Sequence, residues 1–137
     1  MIQHETTVRV RYADTDQMGF VYYGKYAEYF EVGRVELVRK IGVPYTKVEE
    51  EGFLMPVAEM RIQYKLPLTY DELATIRTKV PEKPRASFLT EYEIYNEEGK
   101  LSILAMVKLA FLKKDTGRPV RVPKFVIDAV EKHWSVE

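Results

Sequence analysis

An α+β fold is what this sequence predicts, with one long helix wrapped by a five-stranded antiparallel sheet. Two observations predict it. Tyr26, Phe30, Gly33, Leu37 and Ile41 fall on one face at helical spacing, whereas the segments before and after them alternate apolar and polar residues with the period of two that marks half-buried strands. The order is strand, long helix, then four strands, which packs the helix on one face of the sheet.

The elements follow in order. Val8, Val10 and Tyr12 alternate with Arg9 and Arg11 as a first strand. In the long helix Glu28, Glu31, Arg34, Glu36, Arg39 and Lys40 fill the faces away from the apolar stripe, and Gly42 is placed to end it. Gly33 costs about 1 kcal/mol in mid-helix relative to Ala, so a close approach between helix and sheet is expected there. Residues 44–51 form a short second helix ended by Gly52.

Two further strands each bury one face: Ala58, Met60, Ile62 and Tyr64 in the first, then Ala74, Ile76 and Val80. Phe88, Tyr92 and Ile94 lead to Asn96-Glu97-Glu98-Gly99, a hairpin turn whose glycine supplies positive φ. Leu101 to Phe111 carries the longest apolar face and, through Leu104 and Met106, a partly apolar second one, so it is central or lies in an interface. Pro123 opens a last helix from Val126 to Trp134.

Composition narrows the function. The 137 residues predict a single domain spanning 1–137, and 21 basic against 21 acidic side chains leave no global field to recruit nucleic acid or an anionic membrane. No apolar run approaches the ~20 residues of a membrane span, and the N-terminus has no apolar leader, so a soluble, cytoplasmic protein is expected. The absence of Cys excludes disulfides, thiolate metal sites and a thiol nucleophile. His4 and His133 lie near the termini and read as surface residues, and with Ser87, Ser102 and Ser135 as the only serines no nucleophile elbow or triad is present.

The chemistry-bearing stretch is ADTDQMGFVYYGKYAEYF, residues 13–30. Gly19 to Lys25 satisfies the spacing of a P-loop, but Tyr26 replaces the magnesium-binding Ser or Thr and two aspartates stand where phosphates would approach. Asp14, Asp16 and Gly19 match a calcium loop until Met18 at its fifth position and Lys25 at its twelfth break the ligand set. A third reading is geometric. A strand ends, two carboxylates follow, and a glycine turn leads into a helix, so unpaired amides and the positive end of a helix dipole point toward the carboxylates. That arrangement suits acyl transfer, with amides holding an oxyanion and a carboxylate attacking a carbonyl or activating water. Aspartates in such places also cap turns and helices.

Tyr12-Ala-Asp14-Thr-Asp16-Gln-Met-Gly19-Phe-Val21-Tyr22-Tyr23-Gly-Lys-Tyr26, followed by Phe30-Glu31 and Arg34, resembles the signature of the hotdog-fold 4-hydroxybenzoyl-CoA thioesterase family, especially its YbgC type. The likeness spans nearly the whole chain. It implies an acyl-CoA thioesterase without metal or redox cofactor, in which Asp16 is the catalytic carboxylate, Asp14 an orienting residue, and the backbone amide of Tyr23 the group that polarises the carbonyl. Members of the YbgC type usually carry His where this chain has Tyr23, and Tyr is similar to the 4-hydroxybenzoyl-CoA branch. Gly19 and Tyr26 of the same motif become candidates for substrate contact. Acyl carrier protein is the alternative carrier, and a non-catalytic acyl-thioester-binding hotdog protein is the alternative of another class.

Glu31 is a second carboxylate on the helix, with Arg34 at i+3 offering an ion pair. Tyr22, Tyr26, Tyr29 and Phe30 read as core, some of them lining an acyl tunnel. Coenzyme A phosphates need a basic patch near the tunnel mouth. Lys83, Arg85 and Ser87 supply one segment and Lys113, Lys114, Arg118 and Arg121 another; the resemblance favours Arg85, Ser87 and Arg121. It also implies a homodimer or homotetramer, with Asp16 of one chain facing the helix entrance of its neighbour.

Overall fold

The computed structural model describes residues 1–135. The chain opens with β1 (Ile2–Arg9), passes through one turn of 3-10 helix at Tyr12–Asp14 and another at Tyr23–Lys25, and enters α1 (Tyr26–Lys40). Then come α2 (Tyr45–Glu50), β2 (Phe53–Leu54), β3 (Val57–Tyr64), β4 (Leu73–Val80), β5 (Phe88–Tyr95), β6 (Leu101–Leu109), β7 (Phe111–Lys113), β8 (Pro119–Val120) and α3 (Lys124–Lys132). Five strands form one antiparallel sheet in the order β1-β4-β5-β6-β3, and α1 packs across β1 and β4.

The predicted stripe of α1 is the buried one: Tyr26, Phe30, Gly33, Leu37 and Ile41 all face the sheet. A Cβ built on Gly33 would stand 2.8 Å from Ile76 Cγ2 and collide with Thr78 Oγ1, so the glycine is what lets helix and sheet close together. Phe30 stacks on Tyr92 of β5 at 4.8 Å between ring centres, which fastens the middle of the helix to the middle of the sheet. Gly42 takes φ of +87° just past the helix end, and Gly99 takes +82° in the β5–β6 turn, where its amide donates to Asn96 O.

The structure corrects several local readings. β1 starts earlier than its apolar pattern suggested and ends at Arg9; Tyr12 has left the sheet and is 79% exposed. The cause is Asp14, whose carboxylate accepts from the Arg11 amide and guanidinium and curls the chain into a 3-10 turn. β3 buries neither face: like β1 it is an edge strand, but α1 packs across β1 and β4 at the opposite end of the sheet, which leaves Val57, Met60 and Tyr64 of β3 exposed. The long apolar stretch from Leu101 divides at Ala110: β6 lies inside the main sheet between β5 and β3, while β7 joins β2 and β8 in a small second sheet. The last helix begins at Lys124, directly after Pro123, and ends at Lys132, earlier than the expected Trp134.

Arg34 also departs from expectation. It lies four residues after Phe30 and so shares the buried face of α1, only 5% exposed. Its guanidinium donates to the hydroxyls of Tyr45 at 2.6 Å and Tyr92 at 3.1 Å, and it makes no ion pair with Glu31.

Candidate active site

Where β1 ends, two aspartates two residues apart take different roles. Asp14 is buried and fully engaged: Oδ2 accepts from the Tyr29 hydroxyl at 2.8 Å and the Arg11 amide at 3.2 Å, and Oδ1 accepts from the Arg11 guanidinium at 3.1 Å. Burial alone would raise its pKa, but the hydrogen bonds from Tyr29 and Arg11 outweigh it and hold the carboxyl below the usual carboxylate range. Burial and the Asp14 charge push the Tyr29 hydroxyl far up, so it stays a donor. The Asp14 carbonyl accepts from the Tyr22 amide at 2.8 Å, one residue before the helical run. Asp14 therefore fastens the loop to both ends of the helix entrance.

Asp16 is only partly buried and its carboxylate is half used. Oδ1 accepts from the amides of Met18 at 2.9 Å and Phe20 at 3.3 Å, an Asx turn that fixes the carboxylate's direction. Oδ2 takes no hydrogen bond among the described residues. Gly19 completes the turn with φ of +84°, its amide donating to Asp16 O at 3.0 Å, a conformation that suits glycine alone without strain. The turn is held against the β3–β4 connection by Val21, whose amide donates to Leu68 O at 2.8 Å.

Helical backbone begins at Tyr23 and runs on into α1 without a side-chain cap at either start. The amides of Tyr23 and Gly24 find no acceptor among the described residues, so they remain open donors at the positive end of the helix dipole. The Tyr64 hydroxyl, 3.4 Å from Tyr23 O, reaches this entrance from the end of β3. Neither aspartate caps α1: Asp14 serves the first 3-10 turn and Asp16 its own Asx turn.

Asp16, Tyr23 and Tyr26 line one cleft of about 250 Å³ with Met18, Phe20 and Tyr64. The carboxylate with a free oxygen and the helix entrance with a free amide thus share a cavity within a single chain. The short loop pinned by Asp14 sets Asp16 beside the entrance of its own helix. Gly19 lies on the other side of Asp16, in a second cleft walled by Tyr12 and Tyr70.

The basic candidates lie elsewhere. Arg85 and Ser87 line a separate cleft with Lys83, and the Val122 amide donates to Arg85 O at 2.8 Å, which sets Arg121 beside them. The second basic segment meets the first at its Arg121 end, whereas Lys113 and Lys114 line a different cleft with Glu51 and Phe53, and Arg85, Ser87 and Arg121 do not border the Asp16 cleft of their own chain. Lys83 is occupied, pairing with Glu131 at 3.1 Å and standing 5.5 Å over the Trp134 ring. Sequence reasoning missed the segment from Tyr64 to Pro67 that closes the cleft, because a strand end carries no periodic signal of a site. Tyr29 is core, as the sequence predicts, but the motif does not show the bond from its hydroxyl to Asp14.

Residues 10–130 match the model of the thioesterase-like superfamily. The chain is 34% identical over 120 residues to the acyl-CoA thioesterase YbgC of Haemophilus influenzae, covering 87% of this chain and 88% of that one. Its structure superposes on a DHNA-CoA thioesterase from Staphylococcus aureus with a TM-score of 0.90 and 36% identity, covering 96% of this chain and 91% of the other. A 4-hydroxybenzoyl-CoA thioesterase shares the fold at a TM-score of 0.83 and 23% identity, with 93% and 97% of the two chains covered.

Proposed function

The chain belongs to the thioesterase-like superfamily and has its hotdog fold, and from that premise we propose that it is an acyl-CoA thioesterase whose catalytic carboxylate is Asp16. The observation that supports the reading is the shared cleft: Asp16, whose Oδ2 is unengaged, and Tyr23, whose amide is open, line one cavity. A thioester carbonyl placed at the Tyr23 amide gains stabilisation as its oxygen becomes negative, and the dipole of α1 adds to it.

Two routes use the same atoms. In one, Asp16 Oδ2 attacks the carbonyl carbon, the carbon–sulfur bond breaks, coenzyme A leaves as thiolate, and water then hydrolyses the acyl-aspartyl anhydride. In the other, Asp16 takes a proton from water as that water attacks, and the proton passes to the departing sulfur. Both yield free coenzyme A and a carboxylic acid. The Asx turn supports either by holding the carboxylate in one orientation before substrate arrives.

Arg85, Ser87 and Arg121 are assigned to the phosphates of coenzyme A. They lie away from the Asp16 cleft of their own chain, so the assignment requires an oligomer in which the basic corner of one chain serves the cleft of another. The free edge of β3, with Val57, Met60 and Tyr64 exposed, is the face that pairing would use. Thiol release measured across a panel of acyl-CoA and acyl carrier protein thioesters tests the function. Turnover of coenzyme A esters is expected; turnover of carrier-protein esters alone would move the assignment to that carrier, and no turnover of either would leave a binding protein.

A further inference from the structure

We propose that Met18 is a site of oxidative modification, at which peroxide converts the thioether to the sulfoxide and thereby slows the reaction. The inference rests on the thioesterase reading above and concerns how that site is regulated.

The sequence leaves methionine as its only oxidisable sulfur, since it holds five Met and no Cys. The fold grades those five by access. Met18 is 72% exposed and Met60 43%, whereas Met1, Met55 and Met106 are partly covered. Attack by a small oxidant follows access to the sulfur, so Met18 reacts first.

Place gives that reaction a consequence. Met18 stands in the turn that carries Asp16: its amide donates to Asp16 Oδ1 at 2.9 Å, and Gly19, next in the chain, is held at φ of +84°. The residue also borders the Asp16 cleft, together with Phe20, Leu66 and Pro67. Met18 is thus an apolar residue outside the core cluster, exposed, and at the wall of the candidate site.

The step is a two-electron oxidation. The Met18 sulfur attacks one oxygen of hydrogen peroxide, the O–O bond breaks, and the proton of the transferred oxygen passes to the departing hydroxide, which leaves as water. Sulfur is oxidised and peroxide is reduced. The sulfoxide is polar where the thioether was apolar, and its oxygen is a strong hydrogen-bond acceptor. In the turn, that acceptor competes with Asp16 Oδ1 for the amides of Met18 and Phe20, which hold the carboxylate in place. At the cleft, the negative end of a new dipole opposes the charge that the transition state builds. Methionine sulfoxide reductases return the thioether, so the change is reversible.

The test treats the whole protein with graded hydrogen peroxide, locates the added oxygen by peptide mass spectrometry, and follows thiol release from its best coenzyme A ester. Residue 18 is expected to gain oxygen before residue 60, and kcat/KM to fall about tenfold in step with it. Methionine sulfoxide reductases of both epimer specificities, supplied with dithiothreitol, should restore the rate. Met18→Leu, whatever its own starting rate, should keep that rate to within about twofold under the same treatment, and Met60→Leu should lose activity as the wild type does. Oxygen arriving first at another methionine overturns the inference. So does full oxidation of residue 18 with the rate unchanged, or an equal loss in Met18→Leu. If the untreated protein releases no thiol from any ester, the thioesterase reading fails and the regulatory claim with it, while the order of oxidation, read by mass alone, still decides whether Met18 is the modified residue.

Discussion

The Tyr29 hydroxyl and the Asp14 carboxylate are joined at 2.8 Å beneath the surface, and that bond ties the loop carrying Asp16 to the helix supplying the Tyr23 amide. Asp14 is 1% exposed, so little solvent screens the contact. Because the folded pKa of Asp14 is depressed, its contribution to stability is fully present above the unfolded value of about 4 and is lost as pH falls through the folded one. Tyr29→Phe removes one cause of that depression. The variant is expected to be less stable than wild type near pH 7, with the gap closing as pH falls below about 4. Urea unfolding at a series of pH values measures it, and a gap that stays constant with pH would show that Asp14 is not the partner that matters.

Gly33→Ala places a methyl group against Ile76 and Thr78, both buried in the sheet. Although Ala is the better helix former, the collision is expected to dominate and to cost about 1 to 3 kcal/mol. Denaturant unfolding of the two proteins reads the difference directly. A stabilised variant would mean that helix and sheet do not approach as closely as described.

Oligomerisation through the free edge of β3 is expected at micromolar concentration, since the edge exposes Met60 and Tyr64 beside unpaired backbone groups. Light scattering should give the mass of a dimer or tetramer, and Met60→Lys should shift it toward the monomer. A wild-type monomer would remove the basis for placing the phosphate site on a second chain.

Arg85→Ala and Arg121→Ala are expected to raise KM for coenzyme A esters more than they lower kcat, because contacts to distant phosphates bind ground and transition states alike. Raising the ionic strength should weaken binding less in either variant than in the wild type. Steady-state kinetics at two salt concentrations decides it; unchanged KM in both variants would place the phosphates elsewhere.

Much of this was legible in the sequence where a residue's neighbours along the chain decide its place. The stripe from Tyr26 to Ile41, the glycine at 33 and the turn at Gly99 are local patterns, and each appears where periodicity put it. Legibility failed where partners distant in sequence decide. β3 reads as a half-buried strand yet buries neither face, since alternation cannot say that a strand will lie at the edge that α1 does not cover. Arg34 reads as a surface charge because Tyr92, which holds it, lies in another element 58 residues away. In the site, the motif located both aspartates, but only the fold separates them: one is saturated by Arg11 and Tyr29, the other keeps an oxygen free.

That separation makes Asp16→Asn the most direct measurement of the account. The substitution keeps the shape of the Asx turn and removes the charge, so neither attack on the carbonyl nor proton abstraction from water is possible, while the Tyr23 amide is untouched. Loss of general-base assistance alone typically costs 10²- to 10⁴-fold, about 3 to 5 kcal/mol of barrier. With the best thioester, kcat is expected to fall by that much with substrate binding retained, whereas Asp14→Asn should lower stability and affect kcat less. If Asp16→Asn turns over within a few-fold of wild type, Asp16 is not the catalytic carboxylate and the account of the site is wrong.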